Sequence, residues 1–166
     1  MSDFADLRDG GRQLAPLLAR ALVDRLDAVL LPLLPNGVPV TVGLLDGLSL
    51  PVRALAAERS AEGVVVRPPS GIAGGCCVVV DDGVETGTAA RAAAAALREA
   101  GADTVILAVP VCPREALADL QHRFDEVVAV AKPLARRALR WHYDDFDTVD
   151  PEAAEALLRD LPGALP

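Results

Sequence analysis

Two apolar runs separated by one helix-length segment constrain the fold most strongly. CCVVV at 76–80 and TVILAVPV at 104–111 are each continuous enough to form a strand buried on both faces. Between them, TAARAAAAALREAGA predicts an alanine-rich helix closed by Gly101. A strand, a helix and a second strand in this order predict a right-handed crossover between parallel strands.

The flanking segments continue this alternation. We expect an amphipathic helix within 4–26, after a break at Gly10-Gly11, and a buried strand at 28–34 that ends in the turn Pro35-Asn36-Gly37. The remaining expected elements are a weak helix at 40–48, strands at 50–57 and 126–131, and helices at 113–124 and 151–161. Two valine-rich runs flank 68–71, which predicts either a hairpin or a tight excursion between strands.

Composition agrees with an α/β fold. The 166 residues predict a single domain over 1–166, with residues 134–166 packed on it as a tail. Since 52% of the residues are hydrophobic but only 3% are aromatic, the core must consist mainly of Ala, Val and Leu. This composition suits a parallel sheet with helices on both faces.

Charge and cysteine usage exclude several classes of function. A net charge of −8 argues against nucleic acid as a partner, and the one basic stretch, LARRALR at 134–140, is more simply a solvated face. Cys76, Cys77 and Cys112 fit neither a disulfide framework nor zinc spacing. The polar first residues lack the pattern of a signal peptide, and no apolar run could span a membrane, so we expect a cytoplasmic protein.

The end of the 76–80 strand carries the residues most suited to chemistry. In an open α/β sheet, ligands bind where the strands end. Here Asp81 and Asp82 follow the strand, and a glycine-bearing loop then leads into the alanine-rich helix. Such a loop offers unpaired N–H groups and the positive end of a helix dipole to a phosphate, and the hydroxyls of Thr86 and Thr88 add donors.

The paired carboxylates need a different ligand, because they repel phosphate. They suit the hydroxyls of a sugar or a Mg²⁺ ion, so the whole string favours a sugar phosphate with a metal. The alternative is an Asp82-Gly83 turn followed by a threonine helix cap. The GxxxxGK[ST] motif does not occur, which excludes a P-loop. The GxGxxG fingerprint of dinucleotide-binding sites is also missing.

VVVDDGVETGTA resembles the phosphoribosyl-pyrophosphate (PRPP) binding motif of type I phosphoribosyltransferases. Over about residues 4–150 the chain is also similar to a bacterial group of phosphoribosyltransferases of undefined substrate. The resemblance implies that Asp81 and Asp82 hold the ribose hydroxyls directly or through Mg²⁺, that Glu85 assists proton transfer, and that 85–89 wraps the 5′-phosphate. The expected PRPP-binding set is Asp81, Asp82, Gly83, Val84, Glu85, Thr86, Gly87, Thr88 and Ala89, with Glu85 and Asp82 as catalytic residues.

The chain departs from this family in three places. The pyrophosphate loop, which usually carries Arg-Gly-Gly, is Pro35, Asn36 and Gly37 here. A strand that commonly ends in Arg-Lys is matched by 57–59, which leaves at most Arg59 or Arg53 as the cation. The long flexible segment of the family is reduced to residues 60–75, so the accessory hood should be small.

The resemblance implies PRPP-dependent transfer of ribose 5-phosphate to a nitrogenous base, with Mg²⁺ as cofactor and release of pyrophosphate. Trp141 and Tyr143 are expected to contact the base, and a homodimer is compatible with the family. The departures leave open a nucleotide- or PRPP-binding sensor without turnover. A receiver-like signalling domain is a third alternative, but the chain lacks that domain's separate phosphorylatable Asp and its later Lys.

Overall fold

The computed structural model describes all residues from Met1 to Pro166. None of its helices has the length and apolar character needed to cross a bilayer. In chain order, the elements are α1 (Leu7–Ala21), β1 (Ala28–Pro32), α2 (Gly37–Leu44), β2 (Ala56–Ser60), β3 (Gly63–Arg67), β4 (Cys76–Val80), α3 (Thr88–Glu99), β5 (Thr104–Val111), α4 (Arg114–Leu120), β6 (Glu126–Ala131), a 3₁₀ turn (Leu139–His142) and α5 (Pro151–Arg159).

The main sheet has four parallel strands in the order β1-β4-β5-β6. Val78 of β4 lies opposite Leu30 of β1 and Ile106 of β5, which sets the register. Every residue of β4 and β5 is buried, as expected for strands covered on both faces. The predicted parallel sheet is therefore confirmed, and β5 and β6 begin and end at the predicted residues.

Successive residues of β4 enter two different cores. Val78 and Val80 join a cluster with residues of α1 and α2, whereas Cys77 and Val79 join a second cluster with residues of α3 and α4. This separation follows from the alternation of side chains along a strand. It confirms the prediction of helices on both faces, and it places the end of β4 between the two layers.

The expected break at Gly10-Gly11 is wrong, because α1 runs through both glycines. Gly10 faces the Pro110 side chain in β5, and Gly11 lies at a close contact with α2. A Cβ atom on Gly11 would come within 2.0 Å of the Val40 carbonyl oxygen in α2. Gly11 permits close approach of the two helix backbones, a role that the sequence pattern alone does not separate from a turn.

A two-stranded antiparallel hairpin forms the accessory region. β2 pairs with β3 across a turn at Ala61 and Glu62, so the valine-rich runs at 63–67 and 76–80 do not form a hairpin together. The first part of the expected 50–57 strand follows β1 instead, where Val52 and Leu55 form isolated parallel bridges to Leu30 and Leu33. The hairpin pairs locally because its two-residue turn brings β2 and β3 together at once.

Gly11→Ala should destabilise the protein by about 3 kcal/mol or more, because the new methyl group would overlap the α2 backbone. Gln13→Ala, on the exposed side of α1, should stay within about 0.5 kcal/mol of the parent. Urea unfolding of both variants measures the difference. Equal stabilities would contradict the helix contact at Gly11.

Candidate functional site

Two adjacent carboxylates mark the end of β4. Asp82 is 9% exposed, and its backbone N–H donates to Asp81 Oδ1 at 2.9 Å. Burial raises the pKa of Asp82 to about 6, against the opposing effects of its hydrogen bond with Asp81 and of the Arg59 charge. Burial, reinforced by the charge of Asp82, raises the pKa of Asp81 well above its ordinary range. Unligated, the acid pair is therefore unfavourable in its fully ionised state.

The loop between β4 and α3 presents a row of donors. Gly87 has a φ of +82°, a left-handed conformation that turns the chain directly into α3. The backbone N–H groups of four residues donate no hydrogen bond within the protein: Glu85, Thr86, Gly87 and Ala89. The hydroxyls of Thr86 and Thr88 are 3.1 Å apart at the same place. Free N–H groups at the start of a 12-residue helix are well suited to a phosphate.

Arg91 supports this loop from within α3, a role that our sequence analysis missed. Its Nη1 donates to the Thr86 carbonyl at 3.2 Å and to Asp119 at 3.3 Å, and its Nη2 lies 3.4 Å from Thr88 Oγ1. The available signal was spacing, because Arg91 comes three residues after Thr88 and therefore shares its side of the helix.

The acid pair and the loop line one cavity of about 220 Å³, which we call the loop cavity. Arg59 is its one basic lining residue, and it reaches the cavity from β2 in the accessory hairpin. Arg53, the other candidate cation, donates to the carbonyls of Ser70 and Pro166 and does not line the cavity. The full lining is Arg59, Asp81, Asp82, Gly83, Val84, Glu85, Thr86, Gly87, Thr88, Ala89, Ala90, Leu107, Val109 and Leu139.

The expected pyrophosphate loop lies near the same edge of the sheet. The Leu33 N–H donates to the Val80 carbonyl at 2.8 Å, which holds the end of β1 beside the end of β4. Pro35, Asn36 and Gly37 follow but do not line the loop cavity. Asn36 Oδ1 accepts from the Val149 N–H at 3.1 Å, so its carbonyl group serves the tail. The role of this loop in pyrophosphate binding stays a prediction.

The tail crosses the site as a strap, which we define as residues 138–146. The Leu139 N–H donates to Glu85 Oε1 at 2.9 Å, which fixes the orientation of the Glu85 carboxylate. The Leu139 side chain covers Gly83, where a Cβ atom would lie 2.5 Å from a leucine methyl. The strap thus holds both the loop and the candidate proton acceptor.

The base contact predicted for Tyr143 is wrong. Tyr143 is buried, and its hydroxyl donates to the Asp82 carbonyl at 2.6 Å. Its ring packs against Phe4 and Phe146, with centroids 5.3 Å away in both cases. The residue therefore supports the acid pair from beneath, out of a ligand's reach. Trp141 is 65% exposed and does not line the loop cavity, so its contact with a base stays a prediction.

The chain's first residues anchor the strap. The buried His142 places Nδ1 2.6 Å from an Asp3 carboxylate oxygen, and its carbonyl accepts from the N–H groups of Asp3 and Phe4. The Asp144 N–H returns a hydrogen bond to the Phe4 carbonyl. Sequence reasoning missed this anchor because nothing in the sequence shows that residues 3–4 meet residues 142–144.

The oxygen ligands at the site fit a hard cation that shares its coordination with a substrate. Asp81 and Asp82 supply carboxylates, whereas no group of three or more His, Cys, Asp or Glu side chains forms a metal cage. Mg²⁺ commonly binds through one or two carboxylates together with substrate oxygens and water. The acid pair is therefore compatible with Mg²⁺ in the presence of an oxygen-rich ligand.

This combination of a parallel sheet, terminal acid pair and donor-rich loop is that of a phosphoribosyltransferase fold. The family model for the phosphoribosyl transferase domain matches residues 7–133, and the chain belongs to this family. The resemblance seen in the sequence is thus confirmed.

Particular relatives support this assignment. Two Mycobacterium tuberculosis proteins named "putative phosphoribosyl transferase" are 38% identical over 87 residues, which is 52% of this chain and 20% of theirs. The chain thus matches about a fifth of their length. TT1426 from Thermus thermophilus is 27% identical, with a TM-score of 0.80 over 95% of this chain and 97% of its own. A hypoxanthine-guanine phosphoribosyltransferase from Bacillus anthracis shares the fold, with a TM-score of 0.58 at 14% identity over 86% and 90% of the two chains.

Asp82→Asn should stabilise the protein at pH 8. Because the pKa of Asp82 rises on folding from its ordinary 3.8 to about 6, the unfolded chain loses this proton first as pH increases. Stability therefore falls between about pH 4 and pH 6, by up to roughly 3 kcal/mol. The variant avoids this loss, so its advantage in urea unfolding should be present at pH 8 and absent at pH 4.

Asp24→Asn removes the same charge at an exposed position and controls for general electrostatics. Its unfolding free energy relative to the parent should change much less between pH 4 and pH 8. An Asp82→Asn effect that is the same at pH 4 and pH 8 would contradict the burial of an ionisable Asp82.

Tyr143→Phe should destabilise the protein by about 1–3 kcal/mol, because it leaves the buried Asp82 carbonyl without the tyrosine hydroxyl. Trp141→Phe, at an exposed ring in the same strap, should change stability by less than about 0.5 kcal/mol. Thermal and urea unfolding compare the two variants. A Tyr143→Phe protein as stable as the parent would show that the hydroxyl does not support the acid pair.

Proposed function

We propose that this chain, as one domain over residues 1–166, transfers ribose 5-phosphate from PRPP to a nitrogenous base and releases pyrophosphate. The observation that carries the proposal is the meeting of the acid pair with a row of unpaired N–H groups in one cavity. The two halves of this cavity offer acceptors for sugar hydroxyls and donors for a phosphate. Family membership supports the same reaction class.

In this proposal the loop residues bind the 5′-phosphate and the acid pair binds the ribose. The N–H groups of Thr86 and Gly87 and the hydroxyl of Thr88 would donate to phosphate oxygens. Arg91 holds the loop in place from behind. Asp81 and Asp82 would accept from the ribose hydroxyls and supply the carboxylates for Mg²⁺. When bound, Mg²⁺ would supply positive charge to the departing pyrophosphate.

The reaction breaks the bond from ribose C1 to the pyrophosphate oxygen and forms a bond from C1 to a nitrogen of the base. Negative charge accumulates on the leaving group, so a cation nearby lowers the barrier. Arg59 is the basic side chain of the loop cavity and is proposed for this task. The pyrophosphate would leave toward the hairpin and the loop at Pro35, Asn36 and Gly37.

The attacking nitrogen must lose its proton, and Glu85 is proposed to accept it. Glu85 Oε1 is held by the Leu139 N–H, and Oε2 has no hydrogen-bond partner in the protein. A fixed carboxylate with one free oxygen can orient the base and receive its proton in a single position. The strap therefore contributes to this step through the placement of Glu85.

A binding function without turnover is the second candidate. The observation that favours it is the expected pyrophosphate loop at 35–37, which has no cationic side chain. The side-chain oxygen of Asn36 already accepts a hydrogen bond from the Val149 N–H of the tail. A protein of Neisseria gonorrhoeae with a similar fold has been seen with ppGpp bound (17% identity, TM-score 0.58, over 91% of this chain and 90% of its own). A nucleotide sensor would retain the ribose-phosphate site and lack pyrophosphate release.

Pyrophosphate release from PRPP and Mg²⁺ over a panel of nitrogenous bases separates the two candidates. We expect release with at least one base, together with heat in calorimetry when ribose 5-phosphate and Mg²⁺ are added. Binding without release from any base would favour the sensor. No binding of either ribose 5-phosphate or PRPP would exclude both functions.

Arg59→Gln should lower kcat/KM for PRPP by about 10²–10³-fold, the usual effect of removing one preorganised charge-stabilising donor. Binding of ribose 5-phosphate should change little, because this ligand has no pyrophosphate. Arg67→Gln is the matched control, since Arg67 lies in the same hairpin in an exposed pair with Glu58 and should alter kcat/KM by less than about twofold. Equal effects of the two variants would contradict the role given to Arg59.

A further inference from the structure

A second cavity, of about 450 Å³, adjoins the loop cavity along the strap. We call it the tail groove, and its lining is Glu85, Ala138, Arg140, Asp144, Asp145 and Phe146. Glu85 is the one residue that lines both cavities. Leu139 lines the loop cavity, while its neighbours Ala138 and Arg140 line the groove. A ligand that reached from the loop cavity into the tail groove would therefore pass Glu85.

The charged groups of the groove are largely free to meet a ligand. Arg140 and Asp145 line the same space but form no ion pair with each other or with any other residue. Neither side chain makes a hydrogen bond within the protein. Asp144 Oδ1 accepts a hydrogen bond from the Ser2 hydroxyl, which leaves Oδ2 free. Glu85 Oε1 accepts from the Leu139 N–H, which leaves Oε2 free. The groove thus presents three carboxylates and one guanidinium.

An apolar surface completes the groove. Phe146 is partly buried and stacks on Tyr143 with an interplanar angle of 28°, so its ring is held in one orientation. Pockets for small ligands commonly combine an apolar surface with a few polar groups that fix orientation. A flat heterocycle could contact this ring while its edges meet the charged groups.

We propose that the tail groove receives the acceptor base, and that it selects a neutral or cationic heterocycle with amino or amide N–H groups. This inference rests on the proposed function, which places the reacting nitrogen at Glu85. The N–H groups of the acceptor donate to Asp144, Asp145 and Glu85, and a ring or exocyclic oxygen accepts from Arg140. The groove determines which base reacts, whereas the loop cavity binds the part common to all acceptors.

The same charges disfavour an acceptor that carries a carboxylate. Such a group meets three carboxylates and a single cation, and like charges placed together are an effective means of rejecting a wrong ligand. Acceptors with the same ring but an amide in place of the acid avoid this repulsion. The contrast between amide and acid on one ring therefore isolates the proposed selectivity.

Calorimetry on the full chain with nucleotides tests this selectivity without requiring turnover. The matched probes are nicotinamide mononucleotide and nicotinic acid mononucleotide, which differ only by an amide in place of a carboxylate. A second pair is uridine 5′-monophosphate and orotidine 5′-monophosphate, which differ only by the carboxylate on the ring. We expect the carboxylate-free member of each pair to bind at least about tenfold more tightly.

Two variants connect the selectivity to the groove. Asp145→Asn should narrow the tenfold preference, because it removes one repulsive charge, and Arg140→Gln should widen it, because it removes the cation that attracts a carboxylate. Asp24→Asn is the control for net charge alone and should leave the preference unchanged. Binding of ribose 5-phosphate should be unaffected in all three variants.

The possible results separate the inference from the function on which it rests. Equal binding within each pair, or tighter binding of the carboxylate nucleotides, would overturn the inference while ribose 5-phosphate binding still supports the proposed site. A preference that Asp24→Asn alters as much as Asp145→Asn would also overturn it. Failure of ribose 5-phosphate to bind would overturn the proposed function and the inference together.

Discussion

The hydrogen bond from the Tyr143 hydroxyl to the Asp82 carbonyl joins the strap to the acid pair of the candidate site. Beneath it, the Tyr143 ring packs with Phe4 and Phe146, two of the three phenylalanines in the chain. The strap also holds Glu85 through the Leu139 N–H, and the N-terminal residues hold the strap. Residues 3–4 and the strap thus stabilise an acid pair that lies near the middle of the sequence.

The acid pair shows a conflict between stability and ligand binding. Burial makes ionisation of Asp81 and Asp82 unfavourable, yet only ionised carboxylates fit a metal and ribose hydroxyls well. A bound cation would relieve this unfavourable charge, so ligand binding and folding are thermodynamically linked at this point. Active sites commonly retain such locally unfavourable groups because the function depends on them.

The sequence predicted the parallel sheet and the central motif because each strand and the loop consist of consecutive residues with a clear local pattern. The runs at 76–80 and 104–111 are continuously apolar, which favours strands buried on both faces of a sheet. The sequence prediction failed at Gly10-Gly11, where Gly11 permits a helix contact that only tertiary structure reveals. It also failed at Tyr143, since an aromatic residue near a predicted site can lie above or below it. Arg91 and the His142–Asp3 contact depend on partners that no local pattern identifies.

The accessory hairpin turns within two residues, Ala61 and Glu62, and its inner side packs near α3. Arg59 is the one hairpin residue in the lining of the loop cavity, so the hairpin covers little of that cavity. In a phosphoribosyltransferase, an uncovered ribose centre is open to hydrolysis, because water competes with the base for C1. Productive transfer would then depend on the acceptor itself to shield that carbon. Under the proposed function, occupancy of the tail groove would determine how much PRPP is hydrolysed as well as which base reacts.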